Sequence, residues 1–501
     1  MKLSALLQDH FNVSIDQDRE INGLCLHSKQ VEPGDVFIAL KGSQHHGDHY
    51  IEEAIAKGAV AALIETECDF STQQFPIPVI AVQDLKLRLE NFSQKFYHNC
   101  YQGLKIIGVT GTNGKTTIAY LIHQALNRLG NVAGFIGTIG YGINYNLQSS
   151  DWTTPDSLSL KKYICKLKEQ HANYIAMEIS SHGLAQNRVH DLPVETAIFS
   201  NLTHEHLDYH QTMEAYFEAK SKLFHFNTLQ CAIINVDSDY AKKMMAQVGR
   251  QVNLILYSLQ PQIEPSLLRR PNTDWIVVKS SQLSANGTQA YIESSFGKGS
   301  LQTILLGSFN LNNCLAVLAA LCHQGYSLDN ALQVLRFVKP PPGRMELLGN
   351  SDTPKFIIDY AHTPDALENA LKAARQHCER QLWCVFGCGG NRDATRRGKM
   401  GHIASIYADK VIITNDNPRF EIPEKIIEDI VAGISCDVAN KISIEPDRKK
   451  AIECAFQRAL PLDTVLVAGK GHEDYQIIKD KKIRLSDYDC INNLIREYTL
   501  Q

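Results

Sequence analysis

The sequence predicts an α/β protein of three domains, and three observations predict it. The apolar run Ile106-Ile107-Gly108-Val109 ends in a Gly-rich turn, after which Lys115-Thr116-Thr117 opens a helix. The middle of the chain then alternates short apolar strands with helices, each strand running into a polar tail. Finally, Pro340-Pro341-Pro342-Gly343 punctuates the chain, and the strands predicted beyond it each end in polar or Gly-rich residues. At 501 residues the chain is too long for one core, and three domains follow, at 1–98, 99–338 and 339–501.

Composition narrows the class. With 44% hydrophobic and 21% charged residues, the chain is an ordinary globular protein. A net charge of −4 argues against a nucleic-acid partner. No apolar run reaches the roughly 18–20 residues of a membrane span, so no membrane insertion is expected. The start, Met1 to His10, turns polar too early for a signal peptide. The thirteen cysteines are odd in number and lack zinc-type pairing, since Cys384 and Cys388 have no matching second pair. They read as reduced thiols of a cytoplasmic protein.

In chain order, the first domain holds short strands and helices, with turns at Pro33-Gly34-Asp35 and Gly42. The second opens on the strand that ends in Gly111-Thr112-Asn113-Gly114-Lys115-Thr116-Thr117. Ile118, Leu121, Ile122, Ala125 and Leu129 then recur at helical spacing, and Gly130 stops the helix. This layout cradles phosphate. Backbone N–H groups at a helix N-terminus face an anion, Lys115 adds a point charge, and Thr116 offers a hydroxyl to Mg²⁺. The spacing differs from the common P-loop, whose first glycine would fall on Val109. The central domain is therefore P-loop ATPase-like. Its further strands are expected at Tyr174–Ile179, Thr196–Phe199 and Cys231–Val236, with a β-rich stretch over 251–306 and a helix over Leu311–Gly325. In the third, Rossmann-like domain, strands are expected at Phe356–Tyr360, Leu382–Phe386, Lys410–Thr414 and Thr464–Ala468.

Three local constellations carry chemistry. Glu178 ends an apolar strand, a position that suits Mg²⁺ near a phosphate loop. Asn201–His210 is dense in metal-capable groups. Taken alone, His204, His206, Asp208 and His210 approach a metallohydrolase zinc signature, with Tyr209 displacing the last histidine by one position. A helix over Glu214–Phe226 places Lys220 among Tyr216, Phe217, Leu223 and Phe224. There the lysine either snorkels its amine to water or has that amine chemically changed.

These residues, taken in order, resemble the Mur ligase family from about Ile21 to Asp487. The motifs are Leu26-His27-Ser28-Lys29, Pro33–Phe37, Gly108–Thr117, Thr153-Thr154-Pro155-Asp156, Met177–His182, Asn201–His210 and Ala219-Lys220. They continue with Gly307–Asn313, Pro342–Glu346, Asp359–Pro364, Asp416-Asn417-Pro418-Arg419 and Gly469-Lys470-Gly471-His472-Glu473. The resemblance implies an ATP-dependent amide-forming ligase of peptidoglycan precursor synthesis. The γ-phosphate of ATP activates a substrate carboxylate as an acyl phosphate, which an amino-acid amine then attacks.

The resemblance also assigns residues. Gly111, Thr112, Asn113, Gly114, Lys115, Thr116, Thr117, Asn310, Asn313, Arg344 and Asp359 would bind ATP. Thr116 and Glu178 would bind one Mg²⁺, and His206 would help with a second. Lys220 matches the family's carbamylated lysine, with CO₂ as the added group. Lys115, Glu178, His206, Lys220 and Arg344 form the catalytic set, and the third domain would swing on a hinge at Lys339–Gly343. The first domain would hold the UDP end of UDP-N-acetylmuramoyl-L-alanyl-D-glutamate through Leu26 and Ser28. Thr153, Thr154, Ser181, Gln186 and Arg188 would hold its muramoyl-peptide. The chain has His27 and Lys29 where the family usually shows Asp and Arg, and a lysine lacks arginine's bidentate fork. Gly398 stands where many relatives have proline.

In this family, Asp416-Asn417-Pro418-Arg419 marks enzymes that add meso-diaminopimelate. That amino acid ends in a second carboxylate, which Arg419 can pair through two N–H bonds, whereas lysine would face Arg419 with a like charge. Arg392, Gly469 and Glu473 match further contacts to diaminopimelate. A monomer is expected.

Overall fold

The computed structural model describes residues 1–8, 17–41, 47–65, 75–98, 100–144, 146–150 and 152–499. The turn expected at Gly42, and Cys68, lie outside them. The chain divides into two compact units. One comprises Met1–Thr110, Gly130–Glu195 and His206–Leu229; the other comprises Gly111–Leu129, Thr196–Glu205 and Gln230–Gln501.

The first unit opens on a four-stranded parallel sheet, ordered Gly23–Cys25, Asp35–Ala39, Ala61–Glu65, Val79–Val82. Phe37, Ala39, Ala62 and Ile64 pack one face of it against Ile51 and Ala54 of the helix Ile51–Ala56. A second group of strands centres on Tyr174–Glu178, which pairs in parallel with Lys105–Thr110 on one side and Ala133–Gly137 on the other. Antiparallel strands Gly140–Ile143 and Asn146–Gln148 follow on the outer side. Near-continuous apolar runs such as Ile106-Ile107 and Ile175-Ala176-Met177 are what a parallel sheet covered on both faces requires.

The helix Ser157–Glu169 ties these two parts together. Asp156 caps it, with Oδ1 accepting from the N–H groups of Leu158 (3.1 Å) and Ser159 (3.0 Å). Its lysines reach the first hundred residues: Lys162 Nζ to Asp35 Oδ2 at 2.6 Å, Lys166 Nζ to Glu32 Oε1 at 2.5 Å, Lys161 Nζ to Glu90 Oε1 at 2.6 Å. The expectation of reduced thiols throughout meets a difference here. Cys100 and Cys165 form a disulfide, with Cα atoms 5.0 Å apart across 65 positions of sequence. Among the described residues the other cysteines are free.

In the second unit, the strands run in the order Gly297–Thr303, Gly287–Ser294, Thr273–Ser284, Asn253–Ser258, Cys231–Asn235, Val194–Phe199. The hairpin strands pair antiparallel and the rest pair in parallel. This is the β-rich stretch expected over 251–306. The helix expected from Leu311 starts earlier, at Ser308, because Gly307 (φ +87°) makes the turn that begins it. The phosphate-loop helix, Lys115–Arg128, is anchored at Gln124. Its Nε2 donates to Lys339 O (2.8 Å), and Lys339 N donates to its Oε1 (3.0 Å).

Beyond the prolines stands a six-stranded sheet, ordered Glu346–Leu348, Lys355–Asp359, Thr464–Ala468, Leu382–Phe386, Lys410–Ile413, Ile442–Ile444. All pairs are parallel except the first. Apolar clusters cover both faces, one built on Ile357, Cys384, Phe386 and Leu466, the other on Phe356, Ile358, Val385 and Val467. The late strand Thr464–Ala468 inserts between Lys355–Asp359 and Leu382–Phe386, so the order reverses there. In open α/β sheets, the crevice outside the carboxyl ends at such a switch point is where ligands bind. Gly398, the departure from the family pattern, lies in the helix Thr395–Tyr407 against Gly433, whose own Cβ would run into the Gly398 carbonyl. Among the described residues no helix is long and apolar enough to cross a membrane.

Candidate active site

The phosphate loop is built by close approach. A Cβ on Gly114 (φ +89°) would stand 2.7 Å from Asn313 Oδ1, so only glycine fits both that turn and that neighbour. Asn313 Nδ2 donates to Asn310 Oδ1 (3.0 Å), and Asn310 Nδ2 donates to Leu306 O (2.8 Å). The two asparagines expected to serve ATP are thus set against the loop. Asn201 braces it from the next strand: Asn113 N donates to Asn201 Oδ1 (2.9 Å) and Thr112 N to Asn201 O (2.9 Å). Lys115 Nζ donates to Gly111 O (3.0 Å) and Thr112 O (2.8 Å), which curls its charge over the loop's concave side. Thr116 and Thr117, on the first turn of the helix, are buried. A glycine turn that no Cβ could enter, leading into a helix N-terminus with a lysine folded over it, fits a nucleotide's phosphates.

In the first unit, Glu178 is fully buried at its strand end. Thr138, which sequence reasoning missed, serves both its oxygens: Thr138 N donates to Oε1 (2.8 Å) and Thr138 Oγ1 to Oε2 (3.1 Å). Thr138 Oγ1 also meets Thr153 Oγ1 at 3.0 Å. Thr154 Oγ1 donates to Glu178 O (2.9 Å), and Arg188 Nη1 donates to Thr154 O (2.7 Å). Arg188 grips Gln186 Oε1 through Nε (2.9 Å) and Nη2 (2.6 Å), and lies over Trp152. Thr153, Thr154, Gln186 and Arg188 therefore belong to one hydrogen-bonded chain with Glu178. Ser181 stands at the start of the short helix Ser181–Ala185, with its Oγ 2.9 Å from His210 Nε2.

His210 leads into an aromatic cluster. The His182 ring centre lies 4.9 Å from that of His206 and 5.4 Å from that of His210, and the His210 ring stacks on Tyr216 at 5.1 Å. Burial pushes the His182 and His210 imidazoles below their ordinary value, and neighbouring histidine charges push the same way. Lys220 is 1% exposed, and its Nζ lies 4.5 Å from the Tyr216 ring centre, so it does not snorkel to water. The helix expected over Glu214–Phe226 runs from Met213 to Ser221 and tightens to a 3₁₀ turn over Lys222–His225. Among the described residues no three His, Cys, Asp or Glu side chains gather to hold a metal, so the zinc reading of His204, His206, Asp208 and His210 gains no support from the geometry.

In the segment expected to meet the uridine, Leu26 is half-buried and Ser28 is buried, with its Oγ donating to Glu53 Oε2 at 2.5 Å. His27 pairs with Asp156 Oδ2 at 3.7 Å, which links this segment to the Thr153–Asp156 motif. Lys29 is exposed.

At the switch point of the third sheet, Asp359 Oδ2 accepts from Met345 N (2.9 Å) and Oδ1 from Ala361 N (2.9 Å). Burial pushes its carboxyl up, against the Arg344 charge that holds it down. The Arg344 guanidinium lies over the Tyr360 ring at 5.0 Å. Gly343 (φ +67°) is packed so closely on the Gly471–His472 backbone that a Cβ there would overlap it.

The Asp416–Arg419 turn sits beside this. Asn417 Nδ2 donates to Glu473 Oε2 (2.8 Å) and Ile477 N donates to Asn417 Oδ1 (2.9 Å). Gly390 N donates to Asn417 O (2.9 Å), and a Cβ on Gly390 would overlap the Pro418 carbonyl. Arg419 is half-buried in the left-handed region (φ +52°). It is pinned there by Arg419 N donating to Ile477 O (3.0 Å) and Lys479 N donating to Arg419 O (2.7 Å). Arg419 Nη1 donates to Gly390 O (2.8 Å). Gly389 lies between Arg419 Nη1 and Arg392 Cγ, at 2.9 Å and 3.8 Å from where its Cβ would stand. Arg419 Nη1 and the stem of the exposed Arg392 thus stand on either side of one glycine. Burial pushes the Asp416 carboxyl up, and Gly469 faces its Oδ2.

Comparison with known proteins bears on this arrangement. The model of the Mur ligase family catalytic domain matches residues 20–97, that of the Mur ligase middle domain 109–321, and that of the Mur ligase glutamate ligase domain 343–471. A UDP-N-acetylmuramoyl-L-alanyl-D-glutamate–2,6-diaminopimelate ligase of Pseudomonas aeruginosa is 42% identical over 474 residues, 95% of each chain. One of Haemophilus influenzae is 39% identical over 500 residues, 99% of this chain and 100% of the relative. A solved structure of an enzyme with the same name aligns over 100% of both chains, with a TM-score of 0.67 and 34% identity. Similarity over the full length, with the phosphate loop, the buried strand-end carboxylate and the switch-point turn all in place, makes this chain a member of the Mur ligase family.

Proposed function

We propose that this protein joins meso-2,6-diaminopimelate to UDP-N-acetylmuramoyl-L-alanyl-D-glutamate, at the expense of ATP, as a cytoplasmic monomer in peptidoglycan precursor synthesis. The observation that carries the reading is the Asp416–Arg419 turn, with Arg419 and Arg392 flanking Gly389 at the sheet's switch point. Full-length similarity to enzymes named for this reaction supports it.

In this reading the domains divide the work at 1–98 for the UDP end, 99–338 for ATP and 339–501 for the amino acid. The dipeptide carboxylate takes the γ-phosphate of ATP and becomes an acyl phosphate. The diaminopimelate amine attacks that carbonyl, and phosphate leaves with the C–O electron pair. Lys115 and the loop N–H groups hold the transferring phosphate's charge, and Arg344 adds a second cation to it. Asn310, Asn313 and Asp359 take the nucleoside. Leu26 and Ser28 hold the uridine end, and Thr153, Thr154, Ser181, Gln186 and Arg188 the muramoyl-peptide. Arg419 and Arg392 take the distal carboxylate of diaminopimelate, while Asp416, Asn417, Glu473 and the Gly469 turn take its neighbouring amine.

Thr116, Glu178 and His206 would hold Mg²⁺, which supplies positive charge to the phosphates. The buried Glu178 carboxylate, an oxygen donor, is the feature that fits a hard cation. Lys220, which is buried, would carry CO₂ as a carbamate, and that would replace an ammonium with anionic oxygen donors.

The test is ATP-dependent phosphate release with the UDP-linked dipeptide, comparing meso-diaminopimelate with L-lysine. Release with diaminopimelate alone is expected. Release with lysine at equal kcat/KM, or without any amino acid, overturns the reading.

A further inference from the structure

Beneath the Asp416–Arg419 turn lies a set of buried charges that the proposed reaction leaves unused. Lys470 is 0% exposed. Its Nζ donates to Glu473 Oε2 (3.0 Å) and to the Tyr475 carbonyl, and stands 3.5 Å from Asn417 Oδ1. One ammonium thus ties together Asn417 and Glu473, two of the side chains expected to meet the amino acid. Arg448 is 1% exposed and Asp487 0%. They form a two-point ion pair, Nε to Oδ1 at 2.8 Å and Nη2 to Oδ2 at 2.7 Å, and Nη2 also donates to Ala468 O (3.0 Å), the last residue of the switch-point strand.

Two atoms of this set have no hydrogen-bond partner, although both are buried: Arg448 Nη1 and Asp416 Oδ2. Asp416 is 8% exposed, and its Oδ1 accepts from Asn417 N (2.7 Å). Its carboxylate therefore presents one open acceptor, with Gly469 facing it and leaving room where any side chain would intrude. Asp416, Glu473 and Asp487 carry three negative charges against two positive ones on Lys470 and Arg448. A buried acceptor without a donor is costly, so a ligand that donates to Asp416 Oδ2, such as an ammonium, is what this floor favours.

We propose that Lys470 and Arg448 are positioning residues for the incoming amino acid, buried cations that hold Asn417, Glu473 and Asp416 in the shape and charge state that receives a substrate ammonium. Lys470 acts through Asn417 and Glu473; Arg448, fixed by Asp487, acts through the Ala468 carbonyl, next to the Gly469 that faces Asp416 Oδ2. Neither touches the phosphates. The inference rests on the amino-acid subsite proposed above.

The experiment measures kcat and KM for all three substrates in Lys470→Met and Arg448→Lys, with thermal melting as a check of folding. 2-Aminopimelate, which lacks the second amine, serves as a probe beside meso-diaminopimelate. In Lys470→Met the KM for diaminopimelate should rise about tenfold or more. Its kcat, and the KM values for ATP and the UDP-linked dipeptide, should stay within about threefold, and its preference for diaminopimelate over 2-aminopimelate should shrink. Arg448→Lys keeps the charge and should lose less than Arg448→Met.

An unchanged diaminopimelate KM, an equal rise in all three KM values, or a preserved preference overturns the proposal. So does failure of both Lys470→Met and Arg448→Lys to fold, which would assign these residues to domain stability alone. Failure of the wild-type enzyme to release phosphate with diaminopimelate instead overturns the underlying reading, and the two failures are told apart on wild type before any variant is made.

Discussion

Arg419→Ala removes the guanidinium expected to choose the amino acid, and the structure sets the size of the effect. Nη1 is engaged by the Gly390 carbonyl at 2.8 Å. The Nε and Nη2 edge makes no hydrogen bond among the described residues, and that edge suits a carboxylate with two parallel bonds. Hydrogen bonds to a charged group contribute about 1.5–3 kcal/mol, and about 1.4 kcal/mol is a factor of ten. Arg419 is half-buried, so the ordinary range applies rather than that of a deep interior. The kcat/KM for meso-diaminopimelate should fall about 10- to 150-fold. The KM for ATP should stay within about twofold, because Arg419 is held by the Ile477–Lys479 strand and not by the phosphate loop. Alanine asks the same of the backbone at φ +52° as arginine does, so stability should change little. L-Lysine should gain relative to diaminopimelate, since the like charge it met is gone. Phosphate release at saturating ATP, with each amino acid varied, measures all of this. Equal losses for diaminopimelate and ATP, or a loss below about threefold, would refute the specificity argument.

Three further outcomes are expected. Lys115→Ala should lower turnover by about 10²–10³-fold or more with the fold intact, and near-wild-type phosphate release would sink the phosphate assignment. Lys220→Ala should be inactive but partly restored by a short added carboxylate such as formate; no rescue, together with mass spectra of the native enzyme lacking a CO₂ adduct, would remove the carbamate. His377 gives a pH prediction. Gly307 N donates to its Nε2 (2.7 Å), while Nδ1 serves Ser284 O at 2.5 Å, so the ring is held neutral, and burial pushes its value down. A histidine depressed in the folded state contributes stability that is full above the ordinary value near 6.5 and is lost as pH falls below it. The Tm difference between wild type and His377→Gln should therefore shrink from pH 7.5 to 5.5, and a constant difference would contradict it.

The elements most legible in the sequence were those whose apolar runs end in glycine or polar residues. Four of the six strands of the third sheet lie within a residue of expectation, because a doubly covered parallel strand has to be apolar along its length, whereas the short edge strands Glu346–Leu348 and Ile442–Ile444 were not foreseen. Ala133–Gly137, Gly140–Ile143 and Asn146–Gln148 were not foreseen. All three are short and the first two are glycine-rich, so pairing with neighbours rather than local propensity makes them strands. In the site, motifs gave the residues that face outward from strand ends, but not what holds them. Thr138 lies 40 positions from Glu178, and Arg448 lies 39 from Asp487. Such partners leave no local pattern, and a lone arginine or lysine reads as a solvated surface group until the fold buries it. Cys100 and Cys165 escaped for the same reason.

The Gln124 clamp on Lys339 bears on how force passes through this enzyme. Nine residues of helix separate Lys115 from Gln124, a stiff strut of about 14 Å. At its far end two hydrogen bonds seize the first residue of the linker, and Pro340, Pro341 and Pro342 follow with φ locked. The linker is therefore a short crank and not a tether. Its φ angles are fixed at three successive prolines, and the glycine at 343 is its freest backbone position. A swing of the third domain would turn about an axle bolted to the helix that starts at the phosphate loop. Arg344, one residue past the crank, would then travel an arc whose centre is fixed relative to the nucleotide.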